Sequence, residues 1–327
     1  MILSVKHRSL TISRCFASNI GRILDLICLE GYTVYRRISS EHTKKLSKAF
    51  DLRGSFMKIA YLGYDVLYPC LLALESAGCT VMELFTCKTD NVYEFNTKVI
   101  AFAKQRSLPC HIERITLDDI HRLRSMGCQA IFCAGYFHKV PIDHSLPIIN
   151  VHPAMLPIGR GSWPMPIVIM RGLTQSGVTL HKMEQDLDAG DILIQRSFDV
   201  TVRDNLETMT ETICEIAADL CVRVASNLED YWNRAVPQGT FEYWPCPQKK
   251  DYTITLNTPP KETEKILRAF YGFDCYIKLH DNMEICIVKG EFLPMQHTLP
   301  FGTLTDLVPG RRGYAVTGGI ILESAHT

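Results

Sequence analysis

The chain is predicted to be an α/β protein, a parallel sheet with helices on both faces, followed by a smaller β-barrel-like region. Three observations lead there. From Lys58 onward, short apolar runs alternate with helix-length amphipathic stretches, which is the βαβ rhythm of a parallel sheet. Those runs are apolar throughout, as strands covered on both faces are. After Pro237 the rhythm changes to one helix and several short strands parted by turn residues, which fits a compact barrel.

At 327 residues the chain is long enough for two domains, and 46% hydrophobic with 21% charged residues is ordinary for a globular protein. No apolar run approaches the roughly eighteen residues of a membrane span. The expected divisions are residues 1–56, 57–238 and 239–327. The first holds ten basic and four acidic residues, with Lys6, Arg8, Arg14 and Arg22 ahead of the first acid, Asp25. Three readings of it stay open: a mitochondrial transit peptide, an extension ahead of a natural start at Met57, or a small helical appendage over 20–29 and 44–52. A cytoplasmic location is expected unless the first reading holds.

Taken in order, Ile59–Leu62 reads as a strand, Gly63 as its turn, and Val66–Ala77 as a helix ended by Gly78. Thr80–Thr86 is the next strand, Tyr93–Gln105 and Leu117–Met126 are helices, and Ala130–Ala134 is a buried strand. Ligands on such sheets bind beyond the carboxyl ends of the strands. The run Gly63-Tyr64-Asp65-Val66 lacks the G-x-G-x-x-G spacing, so a nicotinamide site is not expected. The apolar run Pro147-Ile148-Ile149 delivers Asn150 and His152, which point to one side because they are two apart on a strand. Pro153 and Pro157 stiffen the loop that follows, Gly159 and Gly161 let it turn, and Trp163–Arg171 is helix-like. A strand over Gly177–Met183 then feeds an acidic loop, Glu184 to Asp191, that can set a carboxylate beside the Asn/His pair. A long helix is expected from Asp204, its N-cap, to Arg234, with Leu206, Met209, Ile213, Ile216, Leu220, Val224, Leu228 and Tyr231 on one apolar face. Beyond the boundary at Pro237-Gln238-Gly239, Lys261–Phe270 looks helical. Asp274–Leu279, Glu284–Val288, Tyr314–Val316 and Gly319–Leu322 look like strands. Tyr243 and Trp244 can cover a bound acceptor, but such a pair more often anchors a domain interface.

Thirteen cysteines contain no C-x-x-C pair, so Cys70, Cys79, Cys133, Cys214 and Cys286 read as small buried hydrophobes in a reducing compartment. His111, His121 and His144 lack ligand spacing, and no metal site is expected. Residues 57–240 hold sixteen basic against twenty-one acidic residues and 241–327 hold nine against ten. Neither carries the basic footprint usual for nucleic-acid binding.

An amide, an imidazole and a carboxylate suit acyl transfer to an amine: the amide N–H can hold an oxyanion, the imidazole can stabilise that charge or move a proton, and the carboxylate can orient the imidazole. Asn-Val-His alone is more usually a strand end with a satisfied histidine. The compound pattern is more specific: Asn150-Val151-His152, then Pro153-x-x-Leu156-Pro157, Gly159-Arg160-Gly161 and Leu187-Asp188-x-Gly190-Asp191. It resembles the folate-dependent formyltransferase family, which includes methionyl-tRNA formyltransferase and the sugar-nucleotide N-formyltransferases, over about 57–237.

The resemblance implies a Rossmann-like sheet, a C-terminal barrel, 10-formyltetrahydrofolate as formyl donor, and Asn150, His152 and Asp188 as the catalytic set. It also implies that the turn after Ala134 lines the pterin pocket through Phe137, His138 and Val140, although the same residues can simply close a strand-to-helix turn. Glu184–Gly190, with Gln185 and Asp186, would form the other wall, largely through backbone groups. Ala154-Met155 departs from the family's common Ser-Leu, and Ile158-Gly159 precedes Arg160 where a basic or aromatic residue is frequent, which touches the acceptor side of the pocket. The tRNA-specific relatives carry a basic insertion after the second strand, whereas here Cys87-Lys88-Thr89-Asp90-Asn91 leads almost directly into a helix. The expected acceptor is therefore a small amine, an amino sugar nucleotide or an amino acid-like metabolite. Methionyl-tRNA is the alternative, and a catalytically silent folate-binding module is a third reading. Oligomeric state is not specified by the sequence.

Overall fold

The strand at Ala130–Ala134 forms where the sequence places it, and the sheet is built outward from it. The structure is a computed structural model that describes residues 57–90, 95–279 and 283–324. The readings of 1–56 and of a helix start at Tyr93 lie outside those residues. The first strands and helices are β1 (Lys58–Gly63), α1 (Tyr68–Ser76), β2 (Thr80–Phe85), α2 (Thr97–Arg106), β3 (Cys110–His111), α3 (Leu117–Ser125), β4 (Ala130–Ala134) and β5 (Ile148–His152). They continue with β6 (Ile158–Arg160), α4 (Pro164–Met170), β7 (Gln175–Lys182), β8 (Ile192–Asp199), α5 (Leu206–Ser226) and α6 (Leu228–Asn233). The main sheet has seven strands in the order β3-β2-β1-β4-β5-β7-β8. The first five run parallel, as the βαβ rhythm requires.

Period-2 alternation divides β1 between two cores. Ile59 and Tyr61 face α1 and α5, packing with Leu71, Leu74, Ile213 and Leu220, whereas Ala60 and Leu62 face α3 with Ile120 and Leu123. All of these side chains are buried, and each large one contributes about 1.5–3 kcal/mol. Cys70 and Cys133 belong to these cores as expected; Cys79 and Cys214 are half-buried. Cys286 is exposed, contrary to expectation, because it lies on an outward position of a short strand and its thiol donates to Asp274 Oδ1 at 3.2 Å.

The parallel expectation fails at one edge. β7 pairs antiparallel with β5, and β8, which the sequence did not announce, pairs antiparallel with β7. Gln195, Arg196 and Ser197 give β8 a half-exposed, polar face rather than an apolar run. The long helix also differs in its ends. Asn205, not Asp204, is the cap: its side chain accepts from Thr208 N at 3.0 Å while Thr208 Oγ1 accepts from Asn205 N at 3.1 Å. Asp204 instead closes the preceding turn, accepting from the backbone N–H and the hydroxyl of Thr201, both at 2.7 Å. The helix breaks at Asn227, φ −150° and ψ 53°, before resuming as α6.

The C-terminal region comprises β9 (Glu242–Tyr243), β10 (Thr253–Ile254), α7 (Pro260–Ala269), β11 (Cys275–Lys278), β12 (Glu284–Ile287), β13 (Gly290–Pro294), β14 (Leu304–Val308), β15 (Arg311–Val316) and β16 (Gly319–Glu323). The barrel-like expectation takes the form of two small sheets, β10-β11-β12 and β13-β16-β15-β14, packed with α7. Their core of Ile266, Phe270, Ile277, Ile287 and Ile321 is continuous with Val168 and Ile169 of α4 and with Trp244. A two-stranded pairing of β6 with β9 ties this region to the loop after His152. Among the described residues no helix is long and apolar enough to cross a membrane.

Candidate active site

β5 ends at the carboxyl edge of the sheet, and its last residues set the site. Asn150 is paired across the strand with His181 of β7, and His152 with Thr179. The β7–β8 hairpin returns Asp188 to the same corner. Its close turn requires Gly190, where a Cβ would meet the Lys182 carbonyl oxygen. Asp188 itself adopts a left-handed φ of 52°, a conformation that carries its carboxylate inward.

The three sequence-predicted groups converge. Asp188 Oδ1 lies 3.2 Å from Asn150 Nδ2 and 3.5 Å from His152 Nδ1, and Oδ2 accepts the Gly161 N–H at 3.0 Å. His152 and Asp188 are 4% and 6% exposed, so the corner is dry and its charges are weakly screened. Burial pushes the Asp188 carboxyl up, but the His181 ring, the His152 ring and the Gly161 N–H outweigh it and hold it below the usual carboxylate range. Burial lowers the His152 imidazole below its ordinary value, against the opposing pull of Asp188 and the Gly159 carbonyl. His152 is therefore neutral. Its Nε2 donates to Gly159 O at 2.8 Å, because a carbonyl can only accept, which leaves the Nδ1 lone pair facing Asp188.

Several residues that the sequence did not single out hold this corner. His181 Nε2 is 3.1 Å from Asn150 Nδ2 and 3.6 Å from Asp188 Oδ1. Gln238, read only as part of a boundary, donates from Nε2 to the carbonyls of Asp188 at 2.8 Å and Gly190 at 2.7 Å, and its Oε1 accepts from Arg160 Nε at 2.9 Å. Thr179 Oγ1 donates to Ala154 O at 2.6 Å and accepts from Gln195 Nε2 at 2.8 Å, which fixes the loop that follows His152. The signal for His181 was the alternation of β7 itself, since Thr179 and His181 are two apart and share a face. Nothing in the sequence flags Gln238, which acts on a loop 48–50 residues away.

The turn after β4 brings aromatic surface to the neighbouring strand ends. Phe137 is 52% exposed and stacks on Tyr64 with ring centroids 5.0 Å apart. His138 meets Tyr136 edge-on at 5.6 Å, and Val140 is buried behind the turn. Gln185 and Asp186 point outward from the hairpin tip. On the other side of the corner Phe241, Tyr243 and Leu187 are exposed. The Tyr243 ring lies against Gly161, 3.6 Å from where a Cβ would stand. Trp244 is buried and takes the anchoring role, its ring packed against Gly159 and α4.

The family model described as formyl transferase matches residues 114–225, which span β4, β5 and the Asp188 hairpin. Residues 114–225 of the chain are thus similar to the formyl transferase family. The methionyl-tRNA formyltransferase of Ehrlichia ruminantium (strain Gardel) is 28% identical over 167 residues, 50% of this chain and 54% of that protein. The chain thus spans about half the length of that curated relative. In fold it is similar to HypX from Aquifex aeolicus, with a TM-score of 0.63 and 15% identity over 82% of this chain and 44% of that one. An N-formyltransferase from Helicobacter canadensis, crystallised with folinic acid and dTDP-3-aminofucose, matches 83% of this chain and 100% of its own with a TM-score of 0.55 at 14% identity.

Proposed function

We propose that the protein is an N-formyltransferase that moves a formyl group from 10-formyltetrahydrofolate to the primary amine of a small acceptor. The observation that carries this reading is the convergence of Asn150, His152 and Asp188 at a dry strand end inside the segment matched by the formyl transferase family. When bound, the donor supplies a formyl carbon open to attack. The amine nitrogen bonds to that carbon, the bond from the carbon to the folate nitrogen breaks, and the proton lost by the amine is made up on that nitrogen.

The residues divide this work. The Asn150 N–H that rests on Asp188 at 3.2 Å is the donor that would turn to the developing oxyanion as it forms. His152, with its Nε2–H tied to Gly159, keeps Nδ1 free to take the amine proton, and Asp188 offsets the positive charge this creates. Phe137, His138 and Val140 would hold the pterin, with backbone around Gln185 and Asp186 as the opposite wall. Folinic acid in the Helicobacter canadensis structure supports a folate donor for this fold.

A small acceptor is favoured by the acidic balance of residues 57–240 and by an apolar rim of Leu187, Phe241 and Tyr243. The arginines beside that rim are already engaged, Arg171 with Glu242 at 2.5 Å and Arg160 with Gln238 and the Phe241 ring. Methionyl-tRNA is the second reading, supported by the name of the Ehrlichia ruminantium relative. The test is to incubate the protein with 10-formyltetrahydrofolate and a panel of amines that includes amino sugar nucleotides and charged tRNA, following tetrahydrofolate release. Release with a small amine is expected. Release with methionyl-tRNA alone, with a salt-sensitive shift of labelled initiator tRNA, reverses the choice of acceptor, and release with none refutes the activity.

A further inference from the structure

The amide of Asn150 has two N–H groups, and both are directed. One faces His181 Nε2 at 3.1 Å and the other faces Asp188 Oδ1 at 3.2 Å. The orientation of an asparagine amide is decided by such partners, because oxygen and nitrogen have the same shape. Here the deciding partner can be traced one bond further. His181 Nδ1 is 2.7 Å from the Lys182 carbonyl oxygen, which only accepts, so Nδ1 carries the ring hydrogen. In the neutral ring Nε2 then offers a lone pair, and only an N–H of Asn150 can meet it. The reversed amide would set its oxygen against that lone pair and against the Asp188 carboxylate.

We infer that His181 is a positioning residue that fixes the Asn150 amide with its nitrogen toward the reacting carbon, through the chain Lys182 carbonyl, His181 ring, Asn150 amide. The strand register builds this in, since Asn150 and His181 are directly paired between β5 and β7 and His181 is 1% exposed. At that burial His181 would act through Asn150 and not on a substrate directly. Its effect is to hold one N–H so that the other stays aimed at the Asp188 side of the corner, where the oxyanion would form. The inference rests on the formyl transfer reading for its consequence in turnover, while the tautomer and the amide orientation stand apart from that reading.

Two variants separate an acceptor from mere bulk. His181→Gln can place its side-chain oxygen near the position of Nε2 and accept from Asn150, whereas His181→Met fills similar space without a strong acceptor. With the preferred amine, His181→Met is expected to lower kcat on the order of tenfold with little change in KM for the donor, and His181→Gln to recover most of that loss. Equal losses in the two variants, or none in His181→Met, overturn the proposal. Nitrogen NMR of the labelled wild-type protein gives a readout independent of catalysis. A hydrogen on Nδ1 of His181 and a hydrogen-bond coupling between Asn150 Nδ2 and His181 Nε2 are expected. A hydrogen on Nε2 in the neutral ring overturns the proposal even if formyl transfer is confirmed. The expected NMR pattern in a protein without transferase activity would instead refute the functional reading alone.

Discussion

Asp188 and Glu83 are both buried carboxylates on the main sheet that meet histidine, yet their surroundings diverge. Glu83 on β2 is paired with Arg122 of α3, whose Nη2 lies 3.0 Å from Oε2, and with His111 of β3 at 2.9 Å. Arg122 and His111 are 39% and 35% exposed at the side chain, so water and a permanent guanidinium charge satisfy that cluster. Among the described residues no arginine or lysine pairs with Asp188, and the imidazoles beside it are nearly sealed, at 5% and 2%. A carboxylate neutralised by a guanidinium is stable and chemically idle. One met by amide N–H groups and buried imidazoles keeps its capacity to answer a new positive charge, which is what proton transfer from an amine to a neighbouring base creates.

The contrast predicts opposite outcomes for matched substitutions. Asp188→Asn is expected to lower turnover by roughly a hundredfold or more while leaving the fold intact. Glu83→Gln is expected to leave turnover within about twofold and to cost about 1–3 kcal/mol of stability, the loss being moderated because Arg122 can turn to water. Turnover assays and denaturant titrations of the two variants check the pair. Equal effects on turnover would erase the distinction.

A second difference lies in pH. Both carboxyls are held below their ordinary values, Glu83 because Arg122 and His111 outweigh burial. Their stabilising contributions are therefore full above the ordinary carboxylate range and are lost as pH falls through the lowered folded values. His152 adds a contribution of its own. Its ring is buried neutral, with its folded value below 6.5. Acidification below 6.5 thus favours the unfolded chain and removes the proton acceptor. In a pH series kcat/KM is expected to fall on the acid side with an inflection below 6.5, and His152→Gln to flatten that limb. An unchanged limb in His152→Gln would move the base elsewhere.

The smallest expected effect is at the rim. Tyr243→Ala is expected to raise KM for the acceptor by about threefold to tenfold, with kcat and the donor KM little changed. A change confined to the donor KM would place the acceptor on another face.

The legible part of this site is the part governed by local period. Asn150 and His152 share a face because they are two apart on a strand, and Asp188 was picked out of its acidic loop by the resemblance of Leu187-Asp188-x-Gly190-Asp191 to the family's motif. His181 and Gln238 were hidden because their roles depend on which strand lies next to β5 and on which loop a distant side chain reaches. The same limit explains the fold. β1, β4 and the long apolar helix follow from patterns within one segment, whereas the antiparallel edge made by β7 and β8 is a property of pairing. Glu83 was lost inside a strand read as apolar, since a single buried acid is tolerated only when Arg122 arrives from another element.

The most direct measurement of the central claim is single-turnover formyl transfer at saturating donor and acceptor in wild type, Asn150→Ala and Asp188→Ala, with folate binding followed in parallel. The account predicts that both variants bind folate as wild type does and transfer on the order of a hundredfold more slowly. Wild-type transfer rates in both variants would contradict it.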